Sequence, residues 1–329
     1  MSSAAAWTIL GLDIGGTKTA VVEGDENAFI YQRRELPTEA AQPFDKTFPA
    51  LADTIELTLA EAEWAGRVVR ALSVSVGGPL QIEAGRLLNP PHLPGWHGVR
   101  LRRRLAERFH PLPVYVEHDG NAGALAEFRF GVGRGRPNLR HLIFLTFGTG
   151  LGAGIIVNGQ VLHGATDTAG EVGHFRLAQC GPWGYGKAGS WEGFASGAGL
   201  VQLASFRYPE RWTADAPIRS LVDAMLAGDP DALAVATEAG IWMGRGMALL
   251  IDAFNPEVIA LGSLAVILGE RVLGPARQAI AAEALPQAAA ACELLPASLG
   301  TSIGDVAALM AALTRMEANG DAQARRAGD

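Results

Sequence analysis

HLIFLTFGTGLGAGIIVNGQVLHG, residues 141–164, decides the fold. The stretch reads as a strand, a Gly turn and a second strand that includes IIVNG. A dinucleotide-binding Gly loop opens a helix, whereas GTGLGAG runs into a second strand, IIVNG, so that motif is excluded. The same plan of strand, Gly turn and strand stands at the N-terminus in WTILGLDIGGTKTAVVEG, residues 7–24, about Gly15 and Gly16. Two copies of one plan imply two related halves.

Each turn has a chemistry. In DIGGTKT, residues 13–19, Asp13 and Thr17 flank a turn whose Gly residues carry no side chain, so backbone N–H groups can approach a phosphate closely, with Lys18 as a further donor. Taken alone, the segment also suits an ordinary hairpin with a Gly-Gly tip. The pattern GxxxxGK[ST] is absent, which excludes a P-loop nucleotidase. A second such turn at Thr149 and Gly150 favours phosphate binding, because two lobes clamping a nucleotide need one turn each.

Between these segments, residues 45–66 show helical spacing, with Phe48, Leu51, Ile55, Leu57 and Ala60 expected near one face. RALSVSVGG (70–78) reads as a strand stopping at a Gly pair. PLPVYVEHDGNAGALAEFRFG (111–131) passes from a strand through a polar corner into an Ala-rich helix, an expected lobe junction. Residues 231–254 form a long apolar helix stopped by Asn255-Pro256, EVIALG (257–262) another buried strand, and 297–316 a Gly-interrupted turn leading to a final helix. The small, polar and charged residues beyond Met316 read as a frayed tail.

The chain has 329 residues, of which 49% are apolar, enough for two lobes with cores of their own. A net charge of −7 and the lack of a basic stripe oppose binding to nucleic acid or an anionic membrane. Cys180 and Cys292 form no CxxC pair, so neither a disulfide framework nor a Cys-rich metal site is expected. MSSAAAW has no basic n-region and no apolar run reaches transmembrane length; a soluble, cytoplasmic protein is expected.

Residues 8–23, 114–127, 142–174 and 297–313 resemble the ROK family of bacterial sugar kinases and repressors, and GTGLGAGIIVNGQVLHGATDTAGEVGH is especially close to its signature. The resemblance implies a two-lobed actin-like ATPase (ribonuclease H-like) α/β fold, each lobe a mixed sheet flanked by helices, with the active site in the cleft. It implies a small lobe over 1–117 completed by the helix 298–316, a large lobe over 118–297 and a flexible tail over 317–329. By the same resemblance ATP is the phosphoryl donor, bound with Mg²⁺ near Asp13, and Gly15, Gly16, Thr17, Lys18, Thr149, Gly150 and Gly262 grip the nucleotide.

Asp119 in EHDGNA matches the family's catalytic base, although a helix N-cap is the plainer use of an Asp at that corner. Glu171, His174 and Glu192 match its ligands for sugar hydroxyls, and the Gly78-Pro79 turn the segment that lies against the sugar. His118 and His92 stand where the family commonly has Asn, which puts plain glucose as substrate in doubt. In many members three cysteines and the histidine matching His174 hold a structural zinc. Here CGPWGYGKAGSWEG (180–193) keeps Cys180 alone, so no zinc site is expected and Trp183, Tyr185 and Trp191 are expected to hold the loop by packing. At the adenosine end, LGSLA (261–265) replaces the family's LGGG.

The implied function is transfer of phosphate to O6 of a hexose, glucose first; another hexose, an N-acetylhexosamine or a sugar-like cyclitol is the alternative. A regulator of the same family would carry a helix-turn-helix before DIGGT, for which Asp13 stands too early, and a non-catalytic sugar sensor would not need Asp119. A homodimer is expected by family likeness alone.

Overall fold

The computed structural model describes residues 7–328, with side chains through residue 318; the leader, residues 1–6, lies outside the described residues. The chain divides into two units. The first takes in the chain up to Gly131, His163–Thr168 and the chain from Leu299 onward; the second comprises Val132–Leu162 and Ala169–Ser298.

In the first unit, β1 (Trp7–Ile14) and β2 (Lys18–Gly24) form the expected hairpin, extended by β3 (Ile30–Pro37). β4 (Val68–Val76) then pairs parallel to β1. The chain passes through a small hairpin of β5 (Leu80–Gln81) and β6 (Arg86–Leu87), and β7 (Val114–His118) pairs parallel to β4. The sheet order is β3-β2-β1-β4-β7. α1 (Phe44–Trp64) and α2 (Leu101–Arg108) supply Phe44, Leu51, Ile55, Leu101 and Leu105 to one core with Leu10, Leu12, Leu72 and Val74.

Leu57 and Ala60 were expected on the buried face of α1, but both face solvent, and Thr58 takes the inward position. Counted from Leu51 and Ile55, the helical period of 3.6 brings residue 58 rather than 57 back to the core. The Thr58 hydroxyl donates to the Thr54 carbonyl at 2.7 Å, so its burial leaves no unpaired polar atom. Behind the sheet the C-terminal helix (Ile303–Gly328) buries Val306 to Leu313, and a Cβ at Gly11 would lie 2.9 Å from the Ala308 Cβ. That helix runs on as backbone across the stretch whose composition reads as a tail.

The second unit repeats the plan. β8 (Leu142–Phe147) and β9 (Leu151–Val157) form a hairpin extended by β10 (Gln160–Val161), and β13 (Val258–Ser263) and β14 (Glu293–Pro296) add in parallel on the other side of β8. Its order, β10-β9-β8-β13-β14, matches the first sheet strand for strand. A two-stranded hairpin, β11 (Trp183–Gly184) with β12 (Lys187–Ala188), lies outside this sheet.

α3 (Asp119–Arg129) belongs to the first unit; the helices of the second begin with α4 (Trp191–Ala195), α5 (Gly197–Arg207), α6 (Ile218–Leu226) and α7 (Pro230–Phe254). α7 starts at the Asp229 N-cap, whose carboxylate accepts from the Asp231 and Ala232 N–H groups, and stops at Asn255 in the left-handed conformation. It packs against α9 (Glu270–Glu283), which follows the short α8 (Leu264–Leu268).

Glycines in α7 permit close approach. A Cβ at Gly240 would lie 2.4 Å from the Val272 carbonyl oxygen, one at Gly244 2.3 Å from the Ala276 carbonyl oxygen, and one at Gly246 2.0 Å from the fully buried Trp191 ring. On helix propensity alone, Gly244→Ala would stabilise by about 1 kcal/mol. The obstacle is α9 backbone, which cannot rotate away, and overpacking typically costs about 1–3 kcal/mol or more. Gly244→Ala is therefore expected to lower stability by about 1–2 kcal/mol, read as a lower denaturation midpoint in urea; an unchanged or higher midpoint would contradict the close packing of α7 on α9.

Candidate active site

The parallel register sets one row of residues at the carboxyl ends of the first sheet. Ile14 pairs with Val76 and Val76 with His118, so Asp13, Gly77 and Asp119 come at or just beyond the same edge. Ligands of α/β sheets collect at such carboxyl ends.

Asp13 is partly buried there, and its carboxyl is pushed up to about 7. Burial is the main cause, with repulsion from Asp119 and Asp305 adding to it and Arg33 and Lys18 opposing. A Cβ at Gly304 would stand 2.6 Å from the Asp13 Oδ2, so only glycine in the first turn of the C-terminal helix lets that carboxylate in. Arg33 and Asp305 were missed in the sequence. Arg33 Nε donates to Asp305 Oδ1 at 2.9 Å and its Nη2 to Glu35 at 2.8 Å, and Lys18 Nζ donates to the same Glu35 oxygen at 3.0 Å. Asp305 lies in the first turn of the C-terminal helix, within residues 297–313 that carry the family resemblance.

The turn after β1 is closed by Gly15 N–H donating to the Lys18 carbonyl at 3.0 Å. Gly16 is needed because a Cβ there would lie 2.8 Å from the His92 carbonyl oxygen. This close approach sets His92 beside the turn, with its side chain exposed.

At the end of β7 it is His118 that caps α3. Its Nδ1 faces the Gly120 N–H at 3.2 Å and stands 3.3 Å from Asp119 Oδ1. Asp119 is thus the first helical residue rather than the N-cap, and its side chain is 55% exposed. Its Oδ1 accepts from the Gly120 N–H at 2.7 Å. The His118 ring packs where a side chain at residue 78 would go, since a Cβ at Gly78 would meet its Cδ2 at 2.6 Å.

The second unit gathers the other expected residues. The Gly148 and Thr149 carbonyls in the β8–β9 turn accept from the Gly197 and Ala198 N–H groups, tying the turn to the start of α5, with Thr149 exposed and Gly150 partly so. Glu192, in the first turn of α4, accepts from the Leu151 N–H at 2.9 Å just beyond Gly150. Glu171 precedes and His174 ends the single helical turn Val172–His174, and a Cβ at Gly173 would lie 2.7 Å from the Tyr185 ring and 3.4 Å from the Glu192 Cβ. The Tyr185 ring stacks on His174 with centroids 3.7 Å apart, and its hydroxyl donates to Glu171 Oε2 at 3.2 Å. Burial holds the His174 imidazole below its ordinary value, with Glu171 raising it and Lys187 lowering it.

Gly262 sits inside β13 opposite Thr146, packed on the Phe144 ring. Ser263, where the family pattern has Gly, takes φ +55°, a conformation that favours glycine.

The loop of residues 180–193 is a packed hairpin. Gly189 N–H donates to the Pro182 carbonyl at 3.0 Å, Ser190 Oγ caps α4, and side chains at Gly181, Gly184 or Gly193 would strike Phe194, Ser190 or Pro182. Trp191 is fully buried near Phe147 and Phe175. The packing role expected for the Trp183 ring needs correction: the ring is 61% exposed, and the residue is anchored by its backbone, which exchanges hydrogen bonds with the Gln202 amide. Among the described residues no group of three or more His, Cys, Asp or Glu side chains is placed to hold a metal ion. No helix among them is long and apolar enough to cross a membrane.

A profile described as "ROK family" matches residues 9–315. A glucokinase of Halalkalibacterium halodurans is 29% identical over 307 residues, covering 90% of this chain and 92% of the relative. The crystal structure of a ROK family glucokinase from Streptomyces griseus in complex with glucose and AMPPNP is 32% identical, with a TM-score of 0.74 over 94% of this chain and 99% of that one. A xylose repressor of Caldicellulosiruptor bescii is 30% identical over 83% of this chain and 70% of its own length. The chain belongs to the ROK family, its fold is the actin-like ATPase fold of the ROK sugar kinases, and of the cysteines of the usual zinc site it keeps at most Cys180.

The raised Asp13 carboxyl has a pH signature. Between its unfolded value of 3.8 and its folded value of about 7, the native state binds more protons than the unfolded one, so stability falls as pH rises through that window. Asp13→Asn removes the loss. The ligand-free variant is expected to be more stable than the parent at pH 8 by on the order of 1–2 kcal/mol, the gain vanishing near pH 4. Equal melting temperatures at pH 8 would contradict the cost of holding a buried, repelled carboxylate at residue 13.

Proposed function

We propose that this ROK-family chain is an ATP-dependent sugar kinase that phosphorylates O6 of a hexose, glucose first, with Asp119 as general base. The observation that carries the proposal is Asp119 itself: an exposed carboxylate at the carboxyl end of β7, relieved of capping by His118 and oriented by the Gly120 N–H. A purely structural Asp at this corner would cap the helix, whereas here His118 holds the cap position.

In the proposed reaction Asp119 takes the proton of the sugar hydroxyl as that oxygen bonds to the γ-phosphorus of ATP and the bond to the ADP oxygen breaks. General-base help of this kind is worth about 10²- to 10⁴-fold. The remaining catalysis is alignment and charge neutralisation. In the first turn the Gly15 N–H is taken by the Lys18 carbonyl, so the Gly16 and Thr17 N–H groups would face phosphate, and in the other turn those of Thr149 and Gly150. Lys18 is engaged by Glu35 and would have to leave an exposed pair, at a cost of about 0–1 kcal/mol.

Mg²⁺ is ordinarily held by one or two carboxylates together with substrate phosphates, so a site without three protein ligands still suits it. Asp13, with Asp119 and Asp305 repelling it, is a donor that a dication would relieve. The ion would supply neutralisation of phosphate charge there.

Glu171, His174 and Glu192 are proposed to read sugar hydroxyls, and His118 and His92 to replace the family's amides in that task. A site built to hydrogen-bond a hydroxyl rejects analogues that lack it. Turnover is expected to be measured as ADP release with Mg²⁺ATP across glucose, mannose, fructose, N-acetylglucosamine, N-acetylmannosamine and a cyclitol. Asp119→Asn should keep the fold and lower kcat by about 10²- to 10⁴-fold for the accepted sugar. Full turnover in that variant would refute the base, and silence of the folded, ATP-binding parent across the panel would favour a sugar-sensing protein.

A further inference from the structure

The turn of the β11–β12 hairpin holds a conformation its sequence does not favour. Trp183 pairs with Ala188 and Gly184 with Lys187, leaving Tyr185 and Gly186 as a two-residue turn with φ of +53° and +70°. Turns with positive φ at both central residues take Asn-Gly, Asp-Gly or Gly-Gly, and a bulky aromatic in the first place is an outlier. Strain of this kind persists only where the surroundings over-determine it, and it concentrates at functional sites.

The surroundings here are the proposed sugar ligands. The strained turn puts the Tyr185 ring face to face with His174 at 3.7 Å and 29° between planes. It aims the hydroxyl at Glu171 Oε2, 3.2 Å away. Gly173, between those two residues, is the one position whose lack of a Cβ admits the ring edge. The base of the hairpin is fixed to α4, because Gly184 packs on Ser190 Oγ and the Gly193 N–H, between which lie Trp191 and Glu192.

We propose that Tyr185 is a positioning residue for sugar binding: its ring fixes the plane of the His174 imidazole and its hydroxyl turns the Glu171 carboxylate, a role that rests on the sugar-reading assignment of Glu171 and His174 made above. Strain in the turn is the counterpart of that orientation. A residue that suits the turn better should fold as well or better and bind sugar worse.

The test uses Tyr185→Asn, which accepts positive φ and removes the ring, and Tyr185→Phe, which keeps the stack and removes the hydroxyl. For Tyr185→Asn the expected result is a melting temperature equal to or above the parent's, a sugar KM raised about 10-fold or more, and an ATP KM within about 2-fold. Tyr185→Phe should fall between. A merely structural tyrosine would instead lower the melting temperature and leave the sugar KM alone.

An NMR titration of the His174 ring in the ligand-free protein gives a readout independent of turnover. Its midpoint should rise in Tyr185→Asn as the covering ring is lost; Tyr185→Phe, which keeps the ring and releases only the Glu171 carboxylate, separates that charge from the loss of cover, Lys187 being the same in both. An unshifted sugar KM in both variants overturns the proposal. If the parent itself turns over no sugar, the kinase assignment fails, and the His174 midpoint alone then decides whether Tyr185 sets its neighbours, an unmoved midpoint overturning that too.

Discussion

The parallel register of β1, β4 and β7 is the constraint on which the first unit depends. With Ile14 against Val76 and Val76 against His118, three strands of different length end on one line, and whatever follows each strand must turn away at that line. Gly15, Gly77 and the His118-capped start of α3 are three ways of doing so. A slip along any one strand would separate Asp13 from Asp119, and the slip is prevented by burial of Leu10, Leu12, Leu72 and Val74 in a single core. The second sheet repeats the order and sets Phe147, Leu151 and Ser263 in the corresponding place.

Much of this was legible in the sequence because it is local. Strand, Gly turn and strand at residues 7–24 and 141–164 need no information beyond their own residues, and the helix ended by Asn255 carries its own stop signal. Within α1 the face set by Leu51 and Ile55 is right, but the apolarity of Leu57 misleads where Thr58, its hydroxyl bonded to the Thr54 carbonyl, fills the core. Arg33 and Asp305 could not be found by spacing, since 272 residues separate them and only the sheet brings Arg33 to the start of the C-terminal helix. The Tyr185 stack was hidden for a different reason: it follows from a positive φ at a residue type that rarely takes one.

Chemistry in the loop of residues 180–193 illustrates a trade between two ways of ordering a surface segment. A tetrahedral metal supplies four strong, directional bonds from few residues. Here the same length of chain is ordered by backbone pairing, a Ser190 cap, the buried Trp191 and glycines that admit Phe194, Ser190 and Pro182 at distances no Cβ would allow. Each contact is small, so the order is distributed over many of them. The exposed Trp183 ring shows that a large aromatic in a loop is not by itself a packing element.

The contact between Gly246 and Trp191 bears on how this chain can diverge. The Trp191 ring fills the groove that Gly246 leaves in α7, so any side chain at 246 needs a smaller residue at 191, and a smaller residue at 191 alone opens a void. Each single change leads through a less stable intermediate, and the pair can be exchanged only together. Since Trp191 precedes Glu192, drift in the interior of α7 is coupled to the residue proposed to contact the sugar. Descendants of this sequence could therefore vary freely at Trp183 while the geometry around Glu192 stays nearly fixed.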